Sequence, residues 1–201
     1  MTTAPASTRK YTVDDLVRMP DGDLYELVDG ELRVTCMGVS AARTTARVIR
    51  RLDEYTDRTD AGVVYSASLI FRIFDDESQS RRAGLSFFRR HRAPHDDALA
   101  ATTAPDLVVE VVSWTNRTEA DRKKVELWLS AGVGMVWVLL PSAREVTVYR
   151  RGHRPRILTA EDTIEGDDLL PGFSAVVADL FPLPESANVG SLGGSATGPT
   201  P

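Results

Sequence analysis

The chain has 201 residues, 42% hydrophobic and 26% charged, a balance that fits a soluble protein with a sizeable core. Its net charge of −5 excludes a wholly basic nucleic-acid binder, although a local basic cluster can still grip phosphate. The single cysteine, Cys36, cannot form an internal disulfide and suits a reducing compartment, and no base apt to activate it as a catalytic thiol is apparent. No run approaches the ~20 apolar residues of a membrane span, and MTTAPASTRK lacks an apolar signal segment, so a cytoplasmic protein is expected.

Residues 1–10 read as a disordered polar leader, and residues 11–182 as one domain. Thr12 before VDDLVRM caps a short helix, with Asp14 and Asp15 in the first turn where the helix dipole favours acid. LYELVDGELRVT reads as two strands around Asp29-Gly30, a type I′ hairpin signal. From Ala41 to Arg58 the period becomes helical. Ala41, Thr45, Val48, Ile49, Leu52 and Tyr55 form one stripe. Arg43, Arg47, Arg50, Arg51 and Glu54 face elsewhere, either as a solvated face or as phosphate contacts.

Residues 62–76 are β-rich enough for one or two strands, ESQSRR makes a turn, and AGLSFF (83–88) is a further strand. A long loop with a basic start covers 89–105. Strand 106–112, helix 118–131 and strand 134–140 then spell a right-handed βαβ crossover, with Gly132 closing the helix. EVTVYRR and RPRIL form a hairpin around Gly152, FSAVVADLF (173–181) reads as a closing helix, and residues 183–201 are too poor in large apolar side chains to pack. The class is α/β, or α+β with a mixed sheet.

The chemistry concentrates in PDLVVEVVSWTNRTEADRKKVELWLSAGV. Alternation places Asp106, Val108, Glu110 and Val112 on one strand face, so a carboxylate interrupts a strand that should be buried. On the helix, Ala120, Lys124, Leu127, Trp128 and Ala131 share a stripe, which turns Lys124 toward the sheet, whereas Lys123 pairs outward with Glu119. Glu110 and Lys124 could be a plain buried ion pair. Such pairs add little net stability, because desolvation offsets their attraction, so a functional site is the competing reading.

PDLVVEVVS, DRKK, LW-x-x-AGV and VWVLLP, with YTVDDL, YELVDGEL, LSFFRRHR and LLPGFSAVVADLF, together resemble the Uma-two family, a branch of the PD-(D/E)XK nuclease superfamily. The resemblance spans residues 11–182. It implies a restriction-endonuclease-like core, a mixed sheet flanked by helices, in which Mg²⁺ (or Mn²⁺) is held by carboxylates and a lysine handles the attacking water. On that resemblance Glu110 is the motif glutamate and Lys124 the migrated motif lysine, because Val112 occupies the lysine's usual place. Glu26 matches a family acid that can approach the pocket, which makes Glu26 and Glu110 the expected metal ligands.

The sequence also departs from the family. The Pro-Asp pair that should supply the second ligand is Ala83-Gly84, and Thr45 stands where a family histidine is expected. Pro105-Asp106 cannot substitute, because Asp106 lies roughly 13 Å from Glu110 along one strand. Asp75, Asp76 and Glu77 lie too far away in the chain. His91, His95 and Asp96 fall in a loop broken by Pro94 and read as surface. Trp128 and Trp137 read as core, and Trp114 as core or a substrate contact. Arg81, Arg82, Arg89, Arg90 and Arg92 are the expected DNA-phosphate contacts. Two readings result: a DNA phosphodiesterase weakened by Gly84, or a catalytically dead domain that binds nucleic acid or protein. Superfamily nucleases often dimerise to cut two strands, which leaves a homodimer open.

Overall fold

Thr12 takes the N-cap of helix α1 (Val13–Arg18), accepting from the Asp15 amide at 3.2 Å while the Asp15 carboxylate accepts from the Thr12 amide at 2.9 Å. These contacts belong to a computed structural model that describes residues 10–35, 37–112 and 119–183. Cys36, Trp114 and nearly all of the expected leader and tail lie outside the described residues. Strands β1 (Tyr25–Val28) and β2 (Glu31–Val34) form the expected hairpin, with Asp29 and Gly30 at φ 52° and 80° as a type I′ turn requires.

Helix α2 (Val39–Thr59) buries Ala41, Thr45, Val48, Leu52 and Tyr55, close to the stripe read from the sequence. It runs into β3 (Gly62–Ser66). Then come β4 (Leu85–Arg89), β5 (Leu107–Val111), α3 (Glu119–Ser130), β6 (Met135–Leu140), β7 (Glu145–Arg150) and β8 (Arg156–Leu158). These six strands make one sheet in the order β3-β4-β5-β6-β7-β8. Only β5 and β6 pair in parallel, with Glu110 opposite Val138, and α3 is the crossover between them. The fold is therefore α+β around a mixed sheet, as expected.

The period-two pattern of β5 sorts the core into two layers. Leu107 and Val109 join Val48, Leu52 and Tyr55 of α2 on one side. Val108 and Val112 join Val125 and Trp128 of α3, with Phe71 and Phe88, on the other. No helix among the described residues is long and apolar enough to cross a membrane.

One expectation needs correction. The closing helix over 173–181 is instead strand β10 (Ser174–Val176), paired with β9 (Thr163–Glu165), followed by a 3₁₀ turn at Val177–Leu180. Phe173 and Val177 are buried while Ser174 and Val176 are exposed, so the burial period over this stretch is two. Within 62–76 only Gly62–Ser66 is a strand, and Phe71 contributes a lone bridge to Ala101.

Arg82 locks the N-terminal hairpin to this sheet. Only 5% exposed, it donates to the carbonyls of Tyr25 (2.9 Å), Gly22 (2.8 Å) and Ser68. Beside it, Leu27 and Ser80 bridge, and Arg81 donates to the Leu27 carbonyl. This network fixes Glu26 relative to β4. Arg82→Met leaves buried carbonyls without a donor, so the urea midpoint should fall by the equivalent of roughly 2–4 kcal/mol. The β1 amides should exchange faster in the same variant.

Candidate active site

Glu110 occupies a central strand where a carboxylate needs partners, and α3 delivers both. The Trp128 indole N–H donates to Glu110 Oε1 at 2.8 Å. Lys124 Nζ lies 3.2 Å from the same oxygen, 2.8 Å from Glu26 Oε1 and 2.8 Å from the Arg82 carbonyl. The Arg82 backbone N–H adds a 3.0 Å bond to Glu26 Oε1. Three residues drawn from β1, β5 and α3 therefore meet, with the Glu110 and Lys124 side chains only 15% and 25% exposed.

Burial is the largest influence on Glu110 and pushes its carboxyl above the ordinary range, against the pull of Lys124 and Trp128. Burial also acts to lower Lys124, but Glu110 and Glu26 outweigh it and hold the ammonium above the usual lysine range. Lys124 is thus a charged donor at neutral pH. With both carboxylates ionised the trio carries one net negative charge.

The trio lies in a cavity of about 370 Å³ whose lining includes Glu26, Arg82, Gly84, Glu110, Asp121 and Lys124. Gly84 falls one step beyond the Leu85–Val109 pair, opposite Glu110. A Cβ there would come 2.8 Å from the Val109 carbonyl oxygen, so the two strands approach too closely for a side chain without a backbone shift. Glu26 and Glu110 share Lys124, and no group of three or more His, Cys, Asp or Glu suited to a metal occurs among the described residues.

The donor set still fits a hard divalent cation. Mg²⁺ is commonly held by one or two carboxylates and completes its shell with water and substrate phosphate. Among the described residues the hydrogen bonds of Glu26 and Glu110 run through Oε1, which leaves each Oε2 for a further ligand.

The expected phosphate contacts all have partners within the chain. Arg81 and Arg82 serve backbone carbonyls, and the burial of Arg82 removes it from any surface role. At the other end of β4, Arg92 pairs with Asp106, Arg90 with Asp60, and the Arg89 backbone N–H donates to Asp106 at 2.9 Å. Asp106 is 5% exposed and opens β5 away from the cavity. Thr45 donates to Met37 Sδ at 3.5 Å, and the Glu77 carbonyl accepts from the Val13 amide. The sequence reading missed Asp121, which lines the cavity one turn before Lys124; the i, i+3 spacing was the available signal. It also missed that Trp128, a core residue, must still place its buried N–H.

The sequence matches a protein-family model described as "Putative restriction endonuclease" (Uma2) over residues 13–180. Among curated proteins nothing matches. A solved structure from Anabaena variabilis, described as a "putative nuclease belonging to DUF820", superposes with a TM-score of 0.73 at 19% identity. The match covers 85% of this chain and 97% of that one, a likeness of fold. Matched across most of its length, the chain belongs to the Uma2 family.

Proposed function

We propose that the chain is a slow, metal-dependent DNA phosphodiesterase in which Glu110 and Glu26 hold Mg²⁺ or Mn²⁺. The observation that carries this reading is the Lys124 ammonium lying 2.8 and 3.2 Å from two carboxylates in an open cavity. The bound ion would supply an activated water and polarise the scissile phosphate. Lys124, held charged by its two acids, would place its positive charge beside the ion and offset the charge that grows on the phosphate. Trp128 fixes the Glu110 rotamer, and the Arg82 amide fixes Glu26.

Gly84 favours a second reading, a domain of the same fold that binds DNA without cutting it. No side chain at that position can hold an ion, and a Cβ would meet the Val109 carbonyl. Gly84→Asp therefore carries a strain cost of roughly 1–3 kcal/mol as β4 moves. Tighter Mn²⁺ binding by this variant in calorimetry, despite that loss, is the outcome expected of a disabled metal site.

Nicking of supercoiled plasmid with Mg²⁺ or Mn²⁺ separates the readings. Wild type should nick, with Glu110→Ala and Lys124→Ala slower by roughly a hundredfold or more. Equal rates in all three discard the assignment, and no nicking by any of them leaves the second reading.

Stability gives an independent check. Burial lifts the folded-state pKa of Glu110 above its ordinary 4.5, so the ionised carboxylate opposes folding above that pH. Glu110→Gln should raise the thermal midpoint at pH 7. The advantage should vanish below pH 4.5, where Glu110 is protonated in both states. A lower midpoint at pH 7 would mean that Lys124 needs both acids for the fold.

A further inference from the structure

We infer that the N-terminal half of α2 is the surface along which the phosphate backbone of double-stranded DNA runs as it leaves the cavity, gripped by Arg43, Arg47 and Arg50. This deepens the nuclease reading and rests on it for the identity of the occupant. Between Val39 and Leu52 the helix carries Arg43, Arg47, Arg50 and Arg51 and no acid, whereas Asp53, Glu54 and Asp57 outnumber Arg58 over its last seven residues.

Only the start of α2 reaches the rim of the site, and the arginines lie on the helix face turned away from the sheet. Met37, just before α2, lines the cavity with Glu26 and Glu110. The far end of α2 leads to Gly62, which pairs with Arg89 at the end of β4 remote from Gly84. Arg43, Arg47 and Arg50 are all exposed. They step along the helix axis by roughly 6 and 4.5 Å, a spacing suited to neighbouring phosphates.

Ala46 is exposed between Arg43 and Arg47 in the chain and keeps the surface low enough for a backbone to approach. Ala46, Arg47, Arg50 and Arg51 line a shallow depression of about 290 Å³ with Asp179 on its rim. Arg51 is paired there with Asp179, and Arg50 holds only the exposed Glu54, a pair that a phosphate can displace at little cost. Arg47 has no hydrogen-bond or ion-pair partner among the described residues. At the β7–β8 hairpin, Arg150 and Arg156 are paired with Asp167 and Asp168.

The test is fluorescence anisotropy of a short labelled DNA duplex without divalent metal, with salt varied from ~50 to ~200 mM. Arg47→Gln/Arg50→Gln should bind roughly tenfold more weakly and lower the slope of log affinity against log salt by about two. Arg58→Gln, at the far end of the same helix, should match wild type. Unchanged affinity and slope in the double variant, an equal loss in Arg58→Gln, or no duplex binding by wild type each overturns the inference. Metal-free binding keeps its failure distinct from that of the catalytic reading. Duplex bound through α2 but never cut sinks catalysis alone, and cutting that the double variant leaves untouched sinks only the α2 surface.

Discussion

A largely buried carboxylate in β5 is the constraint around which the rest of the molecule is arranged. Glu110 could sit there unaided only as a neutral acid, since removing an isolated charge from water costs far more than a domain's margin of stability. Its neighbours supply an indole N–H from below and an ammonium from the side. The ammonium is then shared with a second acid, Glu26, so the cluster holds more negative charge than it neutralises. A pair built for stability would be balanced one to one, and even then would barely offset its desolvation. The excess acid is offset elsewhere, by apolar layers packed on both faces of the sheet.

How much of this was legible from sequence depended on the range of the signal. The β1–β2 hairpin, α2 and the β5–α3–β6 crossover were readable because Asp29-Gly30, the apolar stripe and strand alternation are local chemistry. Glu110 and Lys124 stood out for the same reason, as charges on faces that periodicity assigns to the core. Glu26 did not. Nothing in YELVDGEL points its carboxylate at β5, and only the family resemblance singled it out.

The fates of the arginines were invisible for a further reason. Arg82 is buried because the carbonyls of Gly22, Tyr25 and Ser68 converge on it, and that convergence exists only after the hairpin docks. In FSAVVADLF both periods were present. Pairing with β9 decided between them, a choice made by a partner strand some ten residues away.

Gly84 couples the chemistry of the site to the geometry of the strands. An aspartate there would bring the cluster's net charge from one negative to two, raising its attraction for a divalent cation. The same side chain would hold β4 away from β5, because its Cβ cannot sit 2.8 Å from the Val109 oxygen. With glycine the strands draw together, and Lys124 settles between the two remaining acids. The absence of a side chain at position 84 and the close approach of the strands are therefore one structural state, and adding a charge there also requires opening the sheet.

The field around the cavity adds a direction to this local balance. A chain with net charge −5 repels DNA at long range, so any approach is governed by where that sign is locally inverted. Along α2 the inversion is confined to the half bearing Arg43, Arg47, Arg50 and Arg51, and Asp53, Glu54 and Asp57 reverse it within two turns. On the proposed path, a duplex laid along the whole helix would meet attraction and then repulsion. One that crosses the basic half and turns toward Met37 meets attraction alone, with the cavity at its end. The acidic half of α2 would thus act as a stop that sets where the backbone leaves the helix, a role that neutral residues there could not fill.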